Sequence, residues 1–391
     1  MKQAAIGKIK RPVAINVLHV RSTIGMYGAE KVILNLMGAF KSAISHIQVN
    51  ASVAIIEGPN EESQTFAKLL NKHDLAHDSI ISKKRLDFNA IKHLHSVMKY
   101  KKISVVHTHD YKSLLFVVFA TLLSSKKIIH HIHGALGNTR AERIYAVIER
   151  ICMVRANQII TVSQNQKNIL LDNRFFKNKV IQVNNGTVLP FEATDRTNPE
   201  YHSMGEGFTI IMVARFTPEK NHSLAIDVLN ELIISKKIKP VQLLLLGDGP
   251  NYQAIKSQVE KYNLQKNIQL IGFSNNVQGW LEKSDLLLIT STTEGMPMCL
   301  LEAMAIGLPT VSTSVGEIPH LLTQSQSGLL ANNKKSLVQS INTLMEDETL
   351  YQQCSRNAQA YSKKHLSVQN QAQVLADIYQ QSINKSGSKD T

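Results

Sequence analysis

Two carboxylates, Glu294 and Glu302, are separated by seven residues in "TEGMPMCLLEA" (residues 293–303), with Gly295 and Pro297 close behind the first. On a single helix, positions eight apart would point about 80° away from each other. Gly295 and Pro297 instead predict a turn and a new helix, with Pro297 at its first position, where a missing N–H costs nothing. Glu294 then ends a loop and Glu302 lies in the second helical turn. Between them the N–H groups of Met298, Cys299 and Leu300 are free at the positive end of the helix dipole, which makes an anion site suited to phosphate. The plainer alternative is a solvated loop Glu and a dipole-favoured helical Glu.

Other chemistry-bearing residues also follow strand-like runs. "VARFTPEKNH" places Arg215 and Lys220 after one such run. A guanidinium forks to two oxygens and an ammonium acts as a point charge, so the pair suits a diphosphate. "LLLLGDGP" ends another run in a tight turn at Gly247–Gly249, and "RSTIGMYGAEK" has Gly25 and Gly28 ahead of a helix. Gly28 could let backbone approach a phosphate, although the spacing is not the dinucleotide G-x-G-x-x-G. Histidines gather after two further runs, His107 and His109 in one and His130, His131 and His133 in "HHIHGAL". Alternate histidines on a strand share a face and could hold a metal. Apart from Asp110, no Cys, Asp or Glu follows at ligand spacing, so no metal site is expected. His133, before Gly134 at a strand end, is the one placed to reach a ligand.

The elements that must position these residues alternate. "VAINVLHV", "VNASVAII", "ISVVHTH", "KKIIHHIHG", "ANQIITVS" and "KVIQVNNG" are short, nearly continuous Val/Ile runs separated by helical patterns, as in parallel strands buried on both faces. "PFEATDRTNPEYHSMGEG" then breaks the pattern with Pro, Gly and acidic residues. A second alternation follows in "FTIIMVARF", "VQLLLLGDG", "NIQLIGF", "DLLLITS" and "LPTVST". The expected fold class is α/β, with two Rossmann-like domains facing across a cleft. The expected divisions are an acceptor-side domain at 1–192, a linker at 193–207, a donor-binding domain at 208–365, a helix at 366–384 packing back toward the first domain, and a disordered tail at 385–391.

At 391 residues the chain exceeds the usual ceiling for one hydrophobic core. Cys152, Cys299 and Cys354 match no metal or redox pattern, which fits a reducing cytoplasm. "MKQAAIGKIKRP" lacks the apolar stretch of a signal peptide, and "LLFVVFATLL" is about half of a membrane span, so the expectation is a chain at most peripheral to a membrane. The net charge of +14 is one-sided: residues 1–200 hold 28 Lys+Arg against 14 Asp+Glu, and residues 201–391 hold 16 of each. A basic half of this kind suits nucleic acid, an anionic membrane surface or an anionic substrate, or merely keeps a surface soluble.

In order, "YGAEK", "HIHG", "VNNG", "ARFTPEKN", "LGDGP" and "EGMPMCLLEAMAIGLPTV" make the chain resemble a retaining GT-B glycosyltransferase of family 4 over nearly its whole length. The resemblance implies a donor site formed by Gly28, Arg215, Lys220, Gly247, Glu294, Gly295, Met296, Pro297, Met298, Cys299, Leu300 and Glu302. Within it Glu294 would contact donor-sugar hydroxyls, the helix N-terminus the diphosphate, and Glu302 the ribose. His133, Arg215, Lys220 and Glu294 would be catalytic, with Arg215 and Lys220 clamping the leaving group and His133 near the sugar C6 hydroxyl. The family loop commonly has two adjacent glycines, and Tyr27 stands in the first place here. No D-x-D carboxylate handle occurs, so the expectation is no metal and no cofactor beyond a UDP- or GDP-sugar co-substrate. The expected acceptor is a lipid-linked, lipopolysaccharide, capsule or exopolysaccharide precursor, with the protein peripheral on the cytoplasmic membrane face and no nucleic-acid partner. The alternatives are transfer to a soluble sugar and a non-catalytic sugar-nucleotide binder. A nicotinamide oxidoreductase would want G-x-G-x-x-G with an acid about 20 residues on, which is absent.

Overall fold

The computed structural model describes residues 13–23, 27–41, 47–58, 65–134, 140–190, 207–235 and 240–384. The chain divides into two compact units, the first comprising Met1–Thr161, Leu170–Val183 and Gln369–Thr391, and the second Val162–Ile169 and Asn184–Val368.

The first unit is built on seven parallel strands: β1 (Val13–Ser22), β2 (Ile47–Glu57), β3 (His77–Ile81), β4 (Val105–Thr108), β5 (Lys127–Ile132), β6 (Gln158–Thr161) and β7 (Val180–Gln182). They lie in the order β3-β2-β1-β4-β5-β6-β7. Parallel strands need crossovers, which are supplied by α1 (Gly28–Phe40), α2 (Thr65–Lys72), α3 (Phe88–Tyr100), α4 (Tyr111–Ala120), α5 (Arg140–Met153) and α6 (Gln164–Leu171). Local chemistry starts these helices where the sheet requires them. Asp87 accepts from the N–H groups of Asn89 and Ala90 to cap α3, and Asp110 caps α4 through Ser113. The apolar run "LLFVVFATLL" is largely α4, with Leu114, Phe116, Val117 and Ala120 in the core beside Leu18, Val106 and Ile128.

The second unit has six parallel strands: β8 (Phe208–Val213), β9 (Val241–Leu246), β10 (Ile268–Gly272), β11 (Leu286–Ile289), β12 (Thr310–Thr313) and β13 (Gly328–Ala331), in the order β10-β9-β8-β11-β12-β13. Its helices are α7 (His222–Ser235), α8 (Tyr252–Lys261), α9 (Val277–Glu282), α10 (Met298–Ala305), α11 (Ile318–Ser325), α12 (Lys334–Glu346) and α13 (Glu348–His365). The core joins Ile210, Met212, Leu243, Leu245, Leu286 and Leu288 to Ala225, Ile226 and Leu229 of α7. The last helix, α14 (Val368–Asn384), belongs to the first unit from Gln369 on, and there Tyr379 is wholly buried with its hydroxyl 2.7 Å from His107 Nδ1.

In both sheets the strand order reverses beside the first strand, between β1 and β4 and between β8 and β11. Ligands of open α/β sheets bind beyond the carboxyl ends of strands at such points. Of the sequence expectations, Gly25, the tail 385–391 and all of the 193–207 linker but Gly207 lie outside the described residues.

Candidate active site

At the switch point of the second sheet, two strand ends deliver an ion pair. After β8 the chain passes Arg215 and makes one 3-10 turn, Pro218–Lys220. Lys220 Nζ reaches Glu294 Oε1 at 2.6 Å, and the two side chains are 21% and 10% exposed. Glu294 follows β11 by way of Ser291, whose hydroxyl donates to the same oxygen at 2.7 Å. Thr290 Oγ1 donates to the carbonyls of Lys220 and Asn221, so the end of β11 also holds the backbone that carries the lysine. Arg215 stands exposed earlier on the same loop. Behind it, His222 is buried against Phe216 at a ring distance of 4.5 Å. Burial, followed by the neighbouring Lys220 charge, lowers the His222 pKa to about 4, so at neutral pH it adds no charge beside the lysine.

Glycines let this loop sit against its neighbours. At Gly247, φ is +143° and a Cβ would collide with the Ala214 carbonyl, so the turn after β9 packs directly on the Arg215 backbone. Phe216 N–H donates to the Asp248 carbonyl at 2.9 Å, extending that contact past the strand ends. Gly247 thus positions the cation loop from below.

The carboxylate loop is held just as closely. Pro297 is the N-cap of α10 rather than its first helical residue, with ψ at 130°, and Met298 opens the helix. The expectation was one residue early because a proline that cannot donate fits both positions. Leu300 N–H is drawn into the helix, donating to the Pro297 carbonyl at 3.2 Å. Among the described residues the Met298 and Cys299 N–H groups have no backbone acceptor, so two of the three expected anion donors remain. Gly295 and Met296 are buried; Glu302 is half-buried one turn into α10. Burial, then the charge of Glu294 and, after the opposing effect of Lys220, that of Glu302, push the Cys299 thiol up to about 12. The thiol thus lies within electrostatic reach of both glutamates, and stays protonated.

Sequence reasoning missed three supports of this loop. Asn185, within "VNNG", donates its side-chain amide to the Met296 carbonyl at 3.2 Å. Glu317 N–H donates to the Gly295 carbonyl at 2.8 Å. Gly316, at φ +60°, lies so close to the Glu294 and Gly295 carbonyls that a Cβ would collide with both. The available signals were a polar pair after a strand and a Gly-Glu pair before a helix, neither specific without the fold.

In the first unit, Gly28 is the first residue of α1, and a Cβ added there would meet nothing within 4 Å. Tyr27, at φ −130°, is extended, a conformation that needs no glycine. Arg21, also unread in the sequence, joins the end of β1 to α1 and to the chain after β4: it bonds Glu30 at 2.7 Å and the His109 carbonyl at 2.9 Å. The histidines separate by face as a strand demands. His130 contacts Thr108 and Glu149, while His19, His107, His109, His131 and His133 gather on the other face. Two groups, His19/His107/His109 and His109/His131/His133, have ring nitrogens close enough to hold an ion.

On α5 and the turn after it, Arg143, Ile144, Val147, Arg150, Ile151, Val154 and Arg155 are exposed. Their helical spacing makes one face of aliphatic and arginine side chains, with no acid among its described members.

Two family models cover most of the chain, "Glycosyltransferase Family 4" over residues 28–189 and "Glycosyl transferases group 1" over residues 195–361. The uncharacterized glycosyltransferase MJ1178 of Methanocaldococcus jannaschii is 30% identical over 71% of this chain and 75% of its own. The chain belongs to glycosyltransferase family 4. Another relative, 24% identical over 75% of this chain and 79% of its own, is the Escherichia coli UDP-Gal:alpha-D-GlcNAc-diphosphoundecaprenol alpha-1,3-galactosyltransferase. The fold of this glycosyltransferase is GT-B, matching Anabaena Alr3699/HepE in complex with UDP-glucose at a TM-score of 0.79, with 18% identity over 94% of this chain and all of that one. Among its described residues, no helix is long and apolar enough to cross a membrane.

Proposed function

We propose that this glycosyltransferase moves a sugar, with retention of anomeric configuration and without a metal, from a UDP- or GDP-sugar to the hydroxyl of a lipid-linked glycan acceptor. The observation that carries the reading is the Lys220–Glu294 pair at the β8/β11 switch point, next to the N-terminus of α10. In this reading the anomeric C–O bond to the diphosphate breaks as the acceptor hydroxyl attacks from the same face. The hydroxyl proton passes to the departing phosphate oxygen. Charge grows on the diphosphate, and Arg215, Lys220 and the Met298 and Cys299 N–H groups are the fixed positive groups that meet it. Glu294 holds hydroxyls of the donor sugar, Glu302 holds the ribose, and His133 and Gly28 have the roles that the family resemblance implies. A pair already formed at 2.6 Å holds both side chains in place: on donor binding the diphosphate becomes the counter-charge of the ammonium, and neutral sugar hydroxyls donate to the carboxylate.

The acceptor reading draws on the undecaprenol-linked substrate named for the Escherichia coli relative. It is supported by the exposed α5 face, in which arginines flank aliphatic side chains. Such a face suits an anionic lipid surface, and would make the protein peripheral on the cytoplasmic leaflet. The test is incubation with a panel of nucleotide sugars and polyprenyl-diphosphate glycans in the presence of a chelator, read by mass spectrometry. Nucleoside diphosphate and an acceptor heavier by one sugar are expected. Turnover that appears only on adding a divalent cation would overturn the metal-free mechanism.

A further inference from the structure

Three histidines of the first unit form a continuous chain of ring contacts. His19 Nδ1 lies 2.9 Å from His109 Nε2, and His109 Nδ1 lies 2.8 Å from His133 Nε2. His19 and His109 are buried in or next to β1 and β4, and His133 is half-buried at the end of β5. A neutral imidazole has one N–H and one lone pair, so two such contacts in series can be satisfied in only two ways, with all three protons pointing one way along the chain or all the other. One sense leaves an N–H without a partner at His19 Nε2, the other at His133 Nδ1; among the described residues neither atom has a partner.

The surroundings choose between them. A buried N–H with nothing to donate to is rarer and costlier than a lone pair left empty. Both atoms are enclosed, but His19 is wholly buried mid-strand, where no ligand can satisfy an N–H, whereas His133 as a whole is half-buried just past the end of β5, so His19 Nε2 takes the lone pair. The protons then run from His19 Nδ1 to His109 Nε2 and from His109 Nδ1 to His133 Nε2. His133 carries its proton on Nδ1, at the strand end where open α/β sheets receive ligands. We propose that His19 and His109 are positioning residues that lock His133 as its Nδ1–H tautomer, a neutral hydrogen-bond donor to a sugar oxygen rather than a base. The role of that donor rests on the transferase reading; the lock does not. Burial and the neighbouring rings hold His109 and His133 well below the usual imidazole range, in keeping with neutral rings.

The experiment is long-range proton–nitrogen NMR on the full chain with 15N-labelled histidine at neutral pH, without substrate. The expected wild-type spectrum shows His133 protonated on Nδ1 alone. In His109→Gln the His133 signals should move toward a mixture of tautomers, and turnover should fall about tenfold with donor KM little changed. If that variant does not fold, the wild-type spectrum and His19→Asn carry the test. An Nε2–H or cationic His133 in the wild type, or an unchanged His133 in the variants, would overturn the lock. Direct shifts of His19, His107 and His109 on adding zinc chloride would overturn it as well, making the cluster a metal site. An Nδ1–H His133 in a protein that transfers no sugar would leave the lock standing and remove the transferase reading instead.

Discussion

Replacing Lys220 with Met removes a charge while keeping most of the side chain's apolar stem, and the structure separates its two costs. Lys220 and Glu294 are 21% and 10% exposed, between the surface pairs that contribute about 0–1 kcal/mol and the buried ones whose breaking costs about 3–5. Ser291 still donates to Glu294 Oε1 in the variant, so the carboxylate is not left without a partner. A loss of about 1–2 kcal/mol in folding free energy follows, small against the roughly 5–15 kcal/mol of a typical domain. The kinetic cost is larger, because a cation facing the leaving diphosphate acts where charge develops: about 10²–10³ in kcat. Urea unfolding followed by fluorescence gives the first number, and nucleoside diphosphate release gives the second. Adding Glu294→Gln should restore part of the stability, since an uncharged amide no longer wants a counter-ion, while leaving turnover low. A folded Lys220→Met protein with turnover within about threefold of wild type would refute the leaving-group role.

Gly316→Ala should lower thermal stability by at least about 2 kcal/mol and turnover with it, since the new methyl collides with the carbonyls that shape the Glu294 loop; a melt within 1 °C or so of wild type would contradict this. Below pH 6.5 stability should fall steeply. His19 and His131 are lowered to about 3 and His222 to about 4, so each is neutral when folded and takes up a proton on unfolding. Their contribution is full above about pH 6.5 and lost as pH drops toward 4, by roughly 2 kcal/mol per imidazole at pH 5, checked by denaturant midpoints from pH 8 to 5. Ile144→Asp combined with Ile151→Asp should abolish salt-sensitive sedimentation with anionic vesicles while leaving transfer to a water-soluble acceptor intact; unchanged vesicle binding would remove α5 as the docking face.

The alternating Val/Ile runs made the parallel sheets legible, because strands buried on both faces leave a continuous apolar signature. The shorter or more polar elements were not: β3 "HDSII" and α6 "QNQKNILL" carry too few apolar residues to show a period, and tertiary packing decides them. Glu294, Lys220 and the α10 N-terminus could be read because each lies in the loop that follows an apolar strand or at the proline that caps a helix. The Lys220–Glu294 contact itself could not, since it joins residues 74 apart and depends on β8 and β11 being neighbours. For the same reason the histidines looked like two local clusters, when strand pairing brings His19 from β1 into line with them.

The anomeric configuration of the product tests the central claim most directly. With an α-linked nucleotide-sugar donor, a chelator and a polyprenyl-diphosphate glycan acceptor, proton NMR of the isolated product should show an α-linkage, formed by the wild type and lost in Glu294→Gln. A β-linked product would contradict retention at this site, and a Glu294→Gln protein as active as wild type would contradict the site itself.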